Sequence, residues 1–163
     1  NQWIVKEFEI QSWIREKSKN LSQSLGPLKN SIEEGEGNEA GFIGEHIALK
    51  VLGGKLVNTY DYDLITKKGI KVDVKTKRTK VKPQPHHECS IAGFNINQEC
   101  DYYAFVRVDM NLNKAWWLGV CSKKRYFEDC YFLRKGYYCE NNKFTVKADC
   151  FNLKIEELCE TVD

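Results

Sequence analysis

Two aspartates and a lysine near the middle of the chain, Asp63, Asp73 and Lys75, are residue types that can form a reactive centre together. If a hairpin brings Asp63 opposite Asp73, their Cβ atoms lie about 4.5–5.5 Å apart, a distance at which two negative charges repel. A divalent cation between the carboxylates removes this repulsion, and Mg²⁺ (or Mn²⁺) prefers such hard oxygen ligands. The spacing therefore predicts a carboxylate metal site with an ammonium group beside it.

The residues around the aspartates predict the hairpin itself. Residues 62–66 and 70–77 have the composition of short strands, and a three-residue linker that ends in Gly69 joins them. A loop of this length favours a glycine at its last position, where the backbone needs a positive φ. Pairing the two strands directly across the linker places Asp63 opposite Asp73.

Side chains alternate between the two faces of a strand. Asp73, Lys75 and Lys77 therefore share one face of the predicted second strand, together with Asp63 from its partner. Val72 and Val74 point the other way. We expect the charged face to carry the chemistry.

A third acid comes from a predicted helix over residues 38–52. Asn38 can cap its start, and Gly53 follows its end. Glu45 falls on the apolar stripe of this helix, where a charge needs a partner such as a cation or a lysine. Glu39 is the alternative acid, although its place in the first turn favours a capping role. The stripe consists of Phe42, Glu45, Ala48, Leu49 and Leu52.

A helix glutamate, then a strand aspartate, then an Asp-x-Lys triplet resembles the PD-(D/E)xK nuclease superfamily over residues 44–77. The chain departs from the motif at Tyr62, which stands where a proline would precede the first strand acid. The resemblance implies an α/β (α+β) protein with the restriction-endonuclease-like fold. That fold has a central mixed β-sheet flanked by helices, here with an extra N-terminal helix.

The resemblance also implies roles for the site residues. Asp63, Asp73, Glu45 and the backbone carbonyl of Val74 would hold Mg²⁺ or Mn²⁺. Lys75 would orient the attacking water or stabilise the pentacovalent phosphate. The expected activity is metal-dependent hydrolysis of DNA phosphodiester bonds, with products that carry a 5′-phosphate and a 3′-hydroxyl.

Charge is distributed unevenly along the chain, although the net charge is only +2. Basic residues are dense over residues 67–82, whereas acids concentrate over residues 33–39 and 156–163. This pattern predicts a basic, substrate-facing edge. The predicted contacts with the nucleic acid backbone are Lys77, Arg78, Lys80 and Lys82.

The composition, 42% hydrophobic and 12% aromatic, is that of a globular protein and excludes a disordered or fibrous chain. We expect one domain, in which residues 1–37 form a helix and loop packed on a nuclease-like core over residues 38–163. Seven cysteines without a C-x-x-C pair predict free thiols and a cytoplasmic location. No segment is apolar enough to predict a membrane partner.

The remaining segments have weaker patterns. Helices are predicted over residues 1–19, 122–130 and 153–158, an irregular loop over residues 21–37, and strands over residues 55–59, 90–97, 102–108, 115–120 and 144–151. Together they predict a mixed sheet flanked by helices.

Several alternatives stay open at this stage. A nuclease fold that binds DNA or a protein without cutting is the main rival, and an RNA-directed enzyme is the second. Asp61 competes weakly with Asp63 for the metal. A zinc site at His86, His87, Cys89 and Cys100 has unfavourable spacing. A homodimer is compatible with cutting two strands, but no stripe of residues predicts an interface.

Overall fold

Alternating and continuous apolar segments build a mixed β-sheet in the computed structural model, which describes residues 5–25, 38–57, 59–140 and 143–162. The helices are α1 (Ser12–Leu25), α2 (Asn38–Leu52) and α3 (Lys123–Asp129). The strands are β1 (Lys6–Glu9), β2 (Lys55–Leu56), β3 (Leu64–Ile65), β4 (Lys71–Thr79), β5 (Glu88–Ala92), β6 (Tyr102–Asp109), β7 (Lys114–Ser122), β8 (Tyr131–Leu133), β9 (Tyr138–Cys139), β10 (Phe144–Thr145) and β11 (Cys150–Lys154). The protein is thus an α/β protein.

The main sheet has six strands in the order β1-β7-β6-β4-β3-β2. Neighbouring strands are antiparallel except β4 and β6, which are parallel and pair from Val72↔Tyr102 to Thr79↔Asp109. The connection between these two strands leaves the main sheet, because β5 joins a three-stranded sheet of order β5-β11-β8. The predicted mixed sheet flanked by helices is confirmed at this level of detail.

Hydrophobic residues collect on both faces of the main sheet. On one face α1 and α2 pack on an aliphatic cluster that includes Ile43, Val72 and Val106. The other face packs against the three-stranded sheet and α3 through a cluster that includes Tyr103 and Tyr126. The main sheet therefore separates an aliphatic core from an aromatic one.

The prediction for the N-terminal segment was wrong in part. Residues 1–19 were expected to be one helix, but β1 occupies Lys6–Glu9 and pairs with β7, and α1 begins only at Ser12. Ile10 and Ile14 are buried as expected, whereas Trp13 is 56% exposed. Residues 21–25 are helical rather than loop, and residues 26–37 lie outside the described part of the chain.

The C-terminal predictions were also wrong in part. The strand expected over residues 144–151 is divided into β10, which pairs with β9, and β11, which pairs with β5 and β8. The helix expected over residues 153–158 is a single 3₁₀ turn, Ile155–Glu157. Strand pairing that could not be inferred locally overrides the local helical pattern here.

Two further expectations concern the environment of the chain. All seven cysteines are free, in agreement with the predicted thiols. Within the described residues, no helix is both long enough and apolar enough to cross a membrane.

Candidate active site

The predicted hairpin forms with the predicted register. Leu64 pairs with Val72 and Ile65 with Lys71, so continuing the pairing by one residue sets Asp63 opposite Asp73. Gly69 closes the loop with φ +85°, as the three-residue linker requires. The strands are shorter on the β3 side than predicted, because β3 has only two residues.

Asp63 and Asp73 lie close enough for their charges to interact. Asp63 Oδ2 accepts a hydrogen bond from the backbone N–H of Val74 at 2.9 Å. Asp73 is almost fully buried, with 4% of its surface exposed. Removing an unpaired charge from water into the protein interior costs on the order of several kcal/mol. This buried pair of acids therefore needs a positively charged or hydrogen-bonding partner.

Lys75 is such a partner. Its Nζ lies 2.9 Å from Asp73 Oδ2 and donates a hydrogen bond of 2.9 Å to Gln98 Oε1. The same ammonium lies 6.0 Å from the centroid of the Tyr103 ring, within range of a cation–π interaction. Lys75 is thereby held beside the carboxyl pair rather than extended into solvent.

Gln98 is a site residue that the sequence analysis missed. Its side chain is fully buried, and its Nε2 donates to the Tyr60 carbonyl oxygen at 2.6 Å and to Asp73 Oδ1 at 3.3 Å. Because its Oε1 accepts a hydrogen bond from Lys75, this one amide holds both the Asp73 carboxyl group and the Lys75 ammonium group in place. A prediction that β4 and β6 are parallel would have found it, since residues just before Tyr102 then lie beside the start of β4.

Helix α2 brings Glu45 to the same place. The helix spans Asn38–Leu52, as predicted, although the expected capping by the Asn38 side chain lies outside what the structure describes. Gly44 lets the helix approach β4 closely, because a Cβ on Gly44 would stand 1.8 Å from Thr76 Oγ1. The next residue in the helix, Glu45, therefore lies near enough to Asp73 for their charges to interact.

Two of the three acids, Glu45 and Asp63, have raised pKa values. Burial, and secondarily the charge of Asp73, raises the pKa of Glu45 to about 8. Burial and the neighbouring charges of Asp73 and Glu45 raise the pKa of Asp63 well above its usual range, which the Val74 N–H only partly offsets. Near neutral pH the cluster therefore holds protons that bound cations would displace.

The donor set suits a hard divalent cation. Carboxylate oxygens converge from β4, from the residue preceding β3 and from α2, and Mg²⁺ takes such ligands. In the described part of the chain, no three His, Cys, Asp or Glu side chains are already arranged to hold an ion. Here the Lys75 ammonium lies beside Asp73, and the raised pKa values of Asp63 and Glu45 favour their protonated forms, so a bound ion would have to displace those protons.

The residues predicted to bind the DNA backbone do not all lie on one face of the protein. Lys77 is exposed on the face of Lys75, and its Nζ lies 5.4 Å from the Phe144 ring centroid. Arg78 points to the opposite face of β4 by strand alternation. Lys80 and Lys82 are exposed in the irregular segment that follows the strand.

The structure also bears on the residues weighed as alternatives. Asp61 Oδ1 accepts a hydrogen bond from the Glu99 N–H at 3.0 Å, so it joins two loops rather than the carboxyl cluster. His87 Nδ1 accepts from the Gln84 N–H at 3.1 Å, in a turn. Cys89 and Cys100 are buried in the tyrosine-containing core of the sheet.

The class of site defined by these contacts is a buried carboxyl cluster with one ammonium group, within a mixed sheet. Comparison with protein-family models and with curated proteins finds no match to the chain.

Proposed function

We propose that the chain is a divalent-metal-dependent nuclease that hydrolyses DNA phosphodiester bonds at a PD-(D/E)xK-type site. The observation that carries the proposal is the clustering of the Asp63, Asp73 and Glu45 carboxyl groups, which lie close enough for their charges to interact, with Lys75 Nζ in contact with Asp73 at 2.9 Å. A helix, an antiparallel hairpin and a parallel strand surround this contact, which is compatible with a restriction-endonuclease-like fold.

The three acids and the lysine divide the chemistry between them. Asp63, Asp73 and Glu45 would hold Mg²⁺ or Mn²⁺, with the Val74 carbonyl as a further ligand. When bound, the ion lowers the pKa of a water molecule and offsets the charge that develops on the phosphate. Lys75 donates hydrogen bonds and carries a fixed positive charge, so it would orient the attacking water or stabilise the phosphate oxygens.

Gln98 has a supporting role in this scheme. Its amide accepts from Lys75 and donates to Asp73, so it keeps the ammonium and the carboxylate in one fixed arrangement. Fixed dipoles and charges stabilise a transition state without reorganising during the reaction. Lys77, exposed on the same face of β4, would contact the DNA backbone beside the scissile phosphate.

The proposal is tested with supercoiled and linear DNA. We expect the purified protein to nick or degrade DNA in Mg²⁺ or Mn²⁺, EDTA to stop the reaction, and Asp73→Asn to abolish it. Asp129→Asn is the matched control, because Asp129 is an exposed acid that pairs with Arg125 on α3, outside the site. Cleavage that persists in EDTA, or no cleavage of any DNA form, contradicts the proposal.

Calorimetry distinguishes the proposed nuclease from the rival function, a nuclease fold that binds without cutting. A working site binds Mg²⁺ at the carboxyl cluster and loses that binding in Asp73→Asn. A silent module gives no heat of Mg²⁺ binding in either protein. The same cleavage assay on RNA of the same sequence distinguishes a DNA-directed enzyme from an RNA-directed one.

A further inference from the structure

Two loops beside the acidic site are joined to each other. Residues 59–63 precede β3, and residues 93–99 lead towards β6. Tyr60 Oη donates to the Phe94 carbonyl oxygen at 3.4 Å, and the Glu99 N–H donates to Asp61 Oδ1 at 3.0 Å. Gln98 adds a third hydrogen bond, of 2.6 Å, to the Tyr60 carbonyl oxygen. The two loops therefore form one continuous rim.

This rim exposes large apolar side chains. Tyr60 is 52% exposed, Phe94 51% and Ile96 39%. We call Tyr60 and Phe94 the aromatic rim, and Ile96 lies on the same loop as Phe94. Single exposed apolar residues are normal on a protein surface, but a group of them on joined loops indicates an interaction site.

The aromatic rim is connected to the acidic site through Gln98. The amide that donates to the Tyr60 carbonyl oxygen also contacts Asp73 and Lys75, so only one side chain separates the rim from the reacting groups. The Lys123 ammonium donates to the Gln98 carbonyl oxygen and adds a second cation here. Two acids also lie on the joined loops. The Asp61 carboxylate accepts a hydrogen bond from the Glu99 N–H, while the Glu99 side chain is exposed.

We propose that the aromatic rim stacks an unpaired base of a DNA strand whose phosphate lies at the acidic site. The proposal rests on the proposed nuclease function and adds a substrate class, single-stranded or locally unpaired DNA. Aromatic side chains beside cationic groups bind single strands in this way, because every base has a π-face that can stack. A duplex buries those faces in its own base stack and offers the rim only edges and phosphates.

The test separates binding from cleavage. A single-stranded oligonucleotide with 2-aminopurine reports stacking by fluorescence quenching, and a fully paired duplex of the same sequence is the comparison, both in EDTA. We expect Tyr60→Ala and Phe94→Ala each to weaken single-strand binding by about 5- to 150-fold and to reduce the quenching. Affinity for the duplex should be unchanged. Tyr60→Ala keeps the backbone carbonyl that Gln98 contacts.

Two kinds of control keep the result specific to the rings. Tyr60→Phe and Phe94→Tyr keep an aromatic ring, so they should retain wild-type quenching. Trp13→Ala removes an equally exposed aromatic residue from α1, on the other face of the main sheet, and should change nothing.

The outcomes distinguish this inference from the proposed function. Equal losses on single strand and duplex, or no loss in either alanine variant, overturn the aromatic rim as a base-stacking surface. Those results leave the nuclease proposal standing if Mg²⁺-dependent cleavage is intact. Ring-dependent single-strand binding without cleavage in Mg²⁺ supports the rim and contradicts the nuclease proposal. Absence of binding to any oligonucleotide contradicts the inference outright.

Discussion

The two faces of the main sheet differ in what they bury. The face under α1 and α2 is aliphatic, and Val72, Ala104 and Val106 are almost completely inaccessible there. The opposite face buries charged groups as well as rings. Asp73 is 4% exposed, and Arg107, on the neighbouring strand β6, is 6% exposed.

Each of these two buried charges on the second face has defined partners. Asp73 has Lys75 and Gln98, while Arg107 Nη2 donates to the Glu88 carbonyl oxygen. Burial lowers the pKa of Arg107, and nearby Cys89 and Glu88 partly offset the effect. Alternation along β4 thus places Val72 in the aliphatic core and Asp73 and Lys75 in the acidic site, within a single strand.

Substitutions at nearby positions of β4 should separate stability from catalysis. Lys75→Ala is expected to lower kcat for DNA cleavage by about 10²–10³-fold, as for removal of one group that stabilises transition-state charge. The fold and DNA binding should persist. Val72→Ala, on the aliphatic face, should instead lower the free energy of unfolding by about 2–3 kcal/mol, because it removes buried methyl groups and leaves a cavity.

Cleavage kinetics and urea denaturation of both variants check this separation. Wild-type turnover in Lys75→Ala would remove the lysine from the mechanism. A Val72→Ala protein that loses kcat without losing stability would show that the two faces are not separable.

The close approach of α2 to β4 should be sensitive to a single methyl group. Gly44→Ala places a Cβ against Thr76 and is expected to destabilise the protein by about 1–3 kcal/mol through overpacking. Because the helix also positions Glu45, Mg²⁺ affinity should fall with stability. Gly41→Ala in the same helix meets nothing within 4 Å and should stabilise by about 0.5–1 kcal/mol.

Thermal unfolding measures the stability of the Gly44→Ala and Gly41→Ala proteins, and calorimetry measures their Mg²⁺ affinity. Equal stability changes in the two alanine variants would mean that the close approach of α2 to β4 at Gly44 is unimportant.

The acidic cluster should make stability depend on pH. The pKa of Glu45 is raised from 4.5 to about 8, so the folded protein keeps a proton that the unfolded chain releases. In EDTA, the free energy of unfolding should therefore fall as pH rises from about 4.5 to about 8, by at most about 1.4 kcal/mol per pH unit for each such proton. Added Mg²⁺ should stabilise more at pH 8 than at pH 5, since its ligands must release their protons.

Denaturation across this pH range compares Glu45→Gln with Glu39→Gln, two glutamates of the same helix. Glu45→Gln should flatten the profile and weaken Mg²⁺ binding, and Glu39→Gln should leave both as in the wild type. The reverse result would assign the helix acid of the site to Glu39.

Local signals explain which parts of this architecture could be predicted. The bounds of α2 and the hairpin at Gly69 follow from residues within a few positions, so both were predicted correctly. Strand β1 was missed because its partner β7 lies more than a hundred residues away in sequence. Gln98 was missed for the same reason, since only the parallel pairing of β4 with β6 brings it to Asp73.

The smallest expected effect concerns the exposed lysines after β4. Removing one lysine–phosphate interaction should lower the slope of log K against log[salt] by about 0.9 for duplex DNA, so Lys80→Ala with Lys82→Ala should lower it by about 1.8. Lys17→Ala with Lys19→Ala removes the same charge from α1, across the sheet, and should leave the slope unchanged. Fluorescence anisotropy at several salt concentrations measures both. Equal slopes for the two double variants would mean that DNA does not follow the charged face of β4 beyond the strand's end.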